Sequence, residues 1–169
     1  RDFCLSRGLG DVYKRQTLPG VMTTGALQTL ARAQRVSPGA SVVIGGSGPL
    51  NLQLACELLA GGVRVAAVVE AAPKPGLSAW RDALAMAAAS PDLVFDGVRY
   101  LRALKRAGVP VIWGAQLIAC EGEGRFAALH IATAGGERRI AADVAALNLG
   151  FQPETGLAWA LGCAQHFVD

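Results

Sequence analysis

The residues with the clearest chemical potential are the glycines of a short turn. The segment GGSGPL directly follows the β-branched run ASVVI. A glycine turn between a strand and a helix lets a phosphate approach the backbone, and the helix N-terminus offers that phosphate free N–H groups and partial positive charge. We therefore expect this turn to bind the pyrophosphate of a dinucleotide. The predicted binding residues are Gly45, Gly46, Ser47, Gly48, Pro49 and Leu50.

A carboxylate completes this pattern. Glu70 ends the apolar run VRVAAVVE, 24 residues after Gly46. A carboxylate in this position can accept hydrogen bonds from an adenosine ribose and repels a 2′-phosphate, which favours NAD over NADP. Asn51 stands where the fingerprint has its third glycine, and its larger side chain predicts a helix slightly displaced from the strand. A tight strand-to-helix turn that binds nothing remains the alternative.

A strand–turn–helix–strand unit must position these groups. The run at 40–44 is a strand of the type buried on both faces of a parallel sheet, and Pro49 suits the first turn of a helix over 50–60. Two glycines end this helix, and 63–70 is the second strand. The segment is typical of a βαβ unit.

The flanking segments extend this unit in both directions. A helix is predicted at 22–35, with Thr23 or Thr24 as its cap. Helices at 77–89 and 90–107 precede a strand at 109–113. Ser90 is the expected cap of the second of these helices.

The remaining strands have a different pattern. Gly-rich turns separate short strands at 116–120, 126–133 and 138–142, which predicts an antiparallel meander. An apolar strand then returns at 143–149. The predicted fold class is α/β, a Rossmann-like parallel sheet with helices on both faces and an appended antiparallel β-meander.

Composition narrows the function classes. The chain has 169 residues, of which 52% are hydrophobic and 17% charged, so it is a globular domain and not a disordered chain. Residues 1–16 hold four basic and two acidic residues, which leaves the rest at +1 of the total charge of +3. This near neutrality gives no support for nucleic acid as a partner. No apolar run reaches the roughly 18 residues of a membrane span.

Cysteines and histidines offer no catalytic or metal site. Cys56, Cys120 and Cys163 are far apart and form no CxxC motif, so we expect free thiols in a reducing cytoplasm. Cys163 and His166 have the spacing of one pair of metal ligands, but the sequence has no second pair to complete a site. His130 is a lone strand histidine. We predict no catalytic residue and no metal.

A resemblance covers the chain from residue 17 to 169. The segments TLPGVMTTGALQTL, VVIGGSGPLNLQLACELLAGGVRVAAVVE, SPDLVFDGVRYLRALKRAGVPVIWG and AADVAALNLGFQPETGLAWALGC occur in that order. They resemble the α, A or B subunits of heteromeric flavoenzymes that oxidise amines and imino acids, such as opine oxidases, hydrogen cyanide synthase and the D-hydroxyproline and proline dehydrogenases. These subunits belong to the FAD/NAD(P)-dependent, pyridine nucleotide-disulfide oxidoreductase type.

The resemblance implies a domain organisation. In this class a second nucleotide-binding domain is inserted into an FAD domain. We expect 1–16, whose CLSRGLGDVYKRQ resembles sequencing-adapter read-through, to be non-native. Residues 17–35 would be a connecting segment and helix, 36–150 the dinucleotide-binding domain, and 151–169 the start of the return into an FAD domain outside this sequence.

The resemblance also implies cofactors and partners. Gly150 resembles the point of return and is expected to contribute to cofactor binding. NAD or another adenine nucleotide would bind this domain, and FAD the part of the subunit outside this sequence. The partners would be a catalytic partner subunit and that FAD domain, which would cover Phe151, Leu157, Trp159 and Leu161. The chain by itself is expected to be inactive. A non-catalytic adenine-nucleotide-binding or structural domain of a multi-subunit complex is the alternative.

Overall fold

The computed structural model describes residues 18–76, 80–150 and 156–164. A parallel sheet of five strands lies at its centre, and an antiparallel sheet of three strands lies beside it. In spatial order the parallel strands are β1 (Val21–Thr23), β8 (Val144–Asn148), β2 (Ser41–Gly46), β3 (Arg64–Glu70) and β4 (Val111–Trp113). The antiparallel strands are β5 (Gln116–Glu121), β6 (Ala128–Thr133) and β7 (Gly136–Ala141).

The helices connect these strands. They are α1 (Thr24–Thr29), which continues as a π-helical segment over Leu30–Gln34, α2 (Pro49–Ala60), α3 (Trp80–Ala89), α4 (Pro91–Arg106) and α5 (Gly156–Ala160). Thr23 caps α1 through its side-chain oxygen, as predicted. Ser90 holds the N-cap position of α4, but its side chain makes no capping hydrogen bond. No helix in the described part of the chain is long and apolar enough to cross a membrane.

The predicted fold class is confirmed, with one difference in the layers. On one face of the parallel sheet, core residues of α1, α2 and α4 pack against β2, β3 and β8. On the other face, the core residues come from the antiparallel sheet instead of from helices. The meander therefore covers the second face because its inward side chains, such as Leu129 and Ile131, supply the apolar surface that a helix would otherwise provide.

Strand β1 is an element that the sequence analysis does not predict. Val21 pairs with Ala145 and Thr23 with Leu147, so residues expected to begin a helix extend the parallel sheet. A strand of three residues is too short to show an alternating pattern. The predictions for residues 1–16 and for Phe151 and His166 fall outside the described residues, as does the expected beginning of α3 at residue 77.

Candidate functional site

The turn between β2 and α2 requires glycine at two positions. Gly46 has a φ of +133°, and a Cβ atom placed on it would overlap the backbone carbonyl oxygen of Asn148. Gly48 has a φ of +112° and is the N-cap residue of α2, with Pro49 in the first turn as predicted. Residues other than glycine rarely adopt such φ angles. These glycines therefore set the direction in which α2 leaves the sheet.

Gly45 faces a different environment. A Cβ atom on Gly45 would lie 2.8 Å from the Cδ2 atom of Leu117, in the antiparallel sheet. This glycine is buried. It lets β5 approach β2 closely, a packing role that its place in the glycine run does not reveal.

The backbone N–H groups of the turn are mostly occupied. The N–H of Ser47 donates to the carbonyl oxygen of Asn148 at 2.9 Å, and that of Asn51 donates to the carbonyl oxygen of Gly48 at 3.2 Å. Pro49 has no N–H. Among the described residues, the N–H of Leu50 has no backbone acceptor. Leu50 is half-buried, and its N–H is one of the first N–H groups of α2, which have no acceptor within the helix.

Glu70 lies beside the turn, at the end of β3. Its Oε2 accepts the N–H of Gly48 at 3.2 Å and its Oε1 accepts the N–H of Ala72 at 3.1 Å. The residue is only 6% exposed. An ionised carboxylate has about four acceptor sites. Two of these therefore fix the carboxylate against the backbone, and its side chain accepts no further hydrogen bond from the described residues.

Asn148 belongs to the hydrogen-bond network of the turn, although the sequence analysis does not predict it as a site residue. Its Nδ2 donates to the carbonyl oxygen of Ser47 at 2.9 Å, and its Oδ1 accepts the N–H of Gly150 at 3.2 Å. The side chain thus joins the glycine turn to the end of β8, where Gly150 has a φ of +106°. The only sequence signal was a polar residue near the end of the apolar run DVAALNL.

Asn51 is accommodated between α2 and α1. Its side chain is fully buried, and its Oδ1 accepts the hydroxyl of Thr24 at 3.3 Å. Its Nδ2 has no hydrogen-bond partner among the residues that the structure describes. Burial of such a donor without a partner is costly. Asn51, at the third position of the fingerprint, therefore makes a buried polar contact with α1.

The remaining candidate groups lie away from the turn. Burial raises the pKa of the Cys120 and Cys56 thiols, which keeps both in the unreactive neutral form. His130 contacts Glu121, which also accepts two hydrogen bonds from Arg139, on the antiparallel sheet. No cluster of metal-ligating side chains occurs within the described ranges.

Comparison with solved structures shows the class of fold. A FAD-dependent pyridine nucleotide-disulphide oxidoreductase from Desulfovibrio vulgaris superimposes with a TM-score of 0.55 at 24% identity, over 87% of this chain and 34% of that one. The amine oxidase HisD from Pseudomonas geniculata superimposes with a TM-score of 0.59 at 18% identity, over 85% of this chain and 20% of that one. The fold is that of one part of such oxidoreductases.

Sequence comparison identifies particular relatives, although no family model matches. Hydrogen cyanide synthase subunit HcnB of Pseudomonas aeruginosa is 36% identical over 161 residues, and the A subunit of opine oxidase from Rhizobium meliloti is 33% identical over 155 residues. Both alignments cover 90% of this chain and 34% of the relative. The chain is therefore a homologue of one part of these oxidoreductase subunits and spans about a third of their length.

Proposed function

We propose that this chain is the nucleotide-binding domain of a longer flavin-dependent oxidoreductase subunit that oxidises amines or imino acids. The observation that carries this proposal is the geometry of the turn at Gly46 and Gly48, with a free N–H at Leu50 and a fixed carboxylate at Glu70. The homology to HcnB and to the A subunit of opine oxidase supports the subunit class.

The nucleotide would bind with its pyrophosphate over residues 47–50. The N–H of Leu50 would donate to a phosphate oxygen, aided by the positive end of the α2 dipole. The N–H of Gly48 is engaged by Glu70, and Pro49 has none, so Leu50 is the turn's principal donor. Asn148 would hold the turn in this shape through Ser47.

Glu70 would receive the adenosine ribose. The N–H groups of Gly48 and Ala72 hold its carboxylate in place, so its free acceptor sites are positioned before the ligand arrives. A 2′-phosphate would bring a second negative charge next to this carboxylate. We therefore expect NAD to bind in preference to NADP.

FAD would bind in the part of the subunit outside this sequence and would supply the two-electron chemistry. Trp159 is 79% exposed and Leu161 72% exposed, which supports a covering domain next to α5. Phe151 and the side chain of Leu157 lie outside what the structure describes. The subunit would act in a reducing cytoplasm, in which free thiols such as those of Cys56, Cys120 and Cys163 would persist. The 169-residue chain by itself would be inactive.

Calorimetry on the complete subunit tests the site. Gly48→Val places a branched side chain in the path of the phosphate and should reduce the affinity for NADH at least about tenfold. Glu70→Gln should reduce the ratio of NADH to NADPH affinity, because it removes the charge that repels the 2′-phosphate. Glu121→Gln, on the other sheet, is the matched control. Unchanged affinities in folded Gly48→Val and Glu70→Gln proteins would refute the proposed site.

A second function is favoured by the occupied turn. Asn148 and Glu70 satisfy most of its backbone groups, so the turn keeps its shape without a ligand. A turn of fixed shape would be enough for a domain that binds an adenine nucleotide for stability or regulation, and also for a domain with a purely structural role. Rapid-mixing absorbance measurements distinguish these functions, because a redox site reduces bound flavin when NADH is added. Binding of NADH or ATP without flavin reduction would favour the non-catalytic role.

A further inference from the structure

Helix α4 exposes apolar side chains on the side that faces away from the sheet. Phe95 is 68% exposed and Val98 41% exposed, whereas Leu104 of the same helix is fully buried in the core. At 100° per residue, Phe95, Val98 and Arg102 follow one another along a single face, opposite Leu104. We call Phe95, Val98, Arg102, Lys105 and Arg106 the outer face of α4.

The apolar part of this outer face borders a group of cations. Arg102, Lys105 and Arg106 are exposed, and within the described chain they form no ion pair. Arg99 differs, because it pairs with Asp96 at 3.2 Å and lies over the ring of Tyr100. The face therefore combines an uncovered aromatic side chain with three positive charges that have no counter-charge among the described residues.

The outer face lies far from the strands through which the chain passes into and out of the sheet. Helix α4 packs beside α2, and its Leu104 shares a core cluster with Val65 and Val68 of β3. Strand β4, next to β3, forms that edge of the parallel sheet. Strand β1, which precedes α1, forms the opposite edge, and β8, which ends just before Gly150, lies next to it. The chain therefore enters and leaves the parallel sheet on the side that is remote from α4.

We propose that the outer face of α4 is the docking surface for a second polypeptide of the same complex, one that presents an apolar patch bordered by carboxylates. Phe95 and Val98 would insert into the apolar patch, and Arg102, Lys105 and Arg106 would pair with the carboxylates. The curated relatives are subunits by name, and the chain of this protein joins the parallel sheet on the side away from α4. This inference does not depend on nucleotide binding.

The test uses the complete subunit together with the other polypeptides of its complex, and measures their dissociation constant by surface plasmon resonance. Phe95→Gln and Arg102→Glu should each raise that constant at least about tenfold, and Arg102→Glu should also weaken its salt dependence. Val36→Gln, another exposed apolar position, and Arg138→Glu, an exposed cation on β7, are the matched controls and should change it less than about twofold.

Four outcomes would overturn the proposal. Unchanged dissociation constants for Phe95→Gln and Arg102→Glu, with wild-type circular dichroism, remove the surface. A homodimer that Phe95→Gln dissociates assigns the face to a second copy of this chain. Amide exchange of 91–106 that is already slow without the other polypeptides assigns the face to the remainder of the same chain. Sedimentation with phosphatidylserine vesicles that Arg102→Glu abolishes assigns it to a membrane. Calorimetry with NADH on the same variants keeps these outcomes separate from the nucleotide site.

Discussion

Glu70 and Glu121 lie in two regions of the molecule, and their carboxylates have different kinds of hydrogen-bond donors. Glu70 is buried at the carboxyl end of the parallel sheet and accepts the backbone N–H groups of Gly48 and Ala72. The Glu121 side chain is 43% exposed on the antiparallel sheet and pairs with the side chains of Arg139 and His130. Backbone donors fixed by the fold give Glu70 one geometry, whereas the partners of Glu121 are long side chains in contact with water.

This difference predicts where substitutions are costly. When a substitution removes an acceptor oxygen of a buried carboxylate, a backbone N–H is left without a partner. The resulting loss in the free energy of unfolding is larger than that from breaking an exposed ion pair. The turn is also fixed from two sides, by Asn148 and by Glu70. We therefore expect the glycine turn to tolerate little change and the Glu121 cluster to tolerate much.

The largest effect is expected at Gly46. In Gly46→Ala the Cβ atom meets the carbonyl oxygen of Asn148, and the φ of +133° is unfavourable for alanine. We expect the free energy of unfolding to fall by more than about 3 kcal/mol, as measured by urea titration. Gly124→Ala is the control, because Gly124 has a φ of +68° with open space around it and should cost about 1 kcal/mol. Equal losses in the two variants would contradict the close packing of the turn on β8.

A smaller effect is expected at Glu70. Glu70→Gln keeps the shape of the side chain but turns an amide N–H₂ group towards one of two backbone donors, Gly48 or Ala72. The free energy of unfolding should fall by about 1–3 kcal/mol in the same titration. Glu121→Gln provides the comparison, and its loss should be the smaller of the two. The reverse order would show that the ion cluster, and not the turn, is the more constrained region.

The smallest effect concerns acid stability. Hydrogen bonds from Arg139 and then His130 lower the pKa of Glu121 to about 2 from its usual value of 4.5. Because the folded pKa is the lower one, the stabilisation is complete above about pH 4.5 and is lost as the pH falls towards 2. Between pH 4.5 and 2 the melting temperature of the wild type should therefore fall slightly more than that of Glu121→Gln.

The ionic strength of the buffer sharpens this comparison. The exposed Glu121 cluster is open to screening by salt, whereas the buried Glu70 is shielded from it. In about 1 M salt the pH-dependent difference between wild type and Glu121→Gln should shrink, while the loss in Glu70→Gln should persist. A difference at Glu121 that salt leaves unchanged would mean that this carboxylate is less accessible to water than its exposed fraction indicates.

The sequence by itself determined the local parts of this protein. The strand, glycine turn and helix from residue 40 to 60 follow from a β-branched run, two glycines and a proline, all of which act within a few residues. Glu70 was identifiable because the βαβ unit fixes its distance along the chain from Gly46. The parallel sheet and the meander were also predictable, since their strands carry distinct apolar and turn patterns.

The tertiary structure alone decided what contacts these parts. Asn148 lies 101 positions from Ser47, and no local pattern indicates that the two hydrogen-bond. Gly45 became a packing position because Leu117 of a different sheet lies against it. The antiparallel sheet took the face on which helices were expected, and β1 joined the sheet through three residues. Such pairings depend on which apolar surfaces fit together across the folded chain, and neighbouring residues in the sequence do not encode that fit.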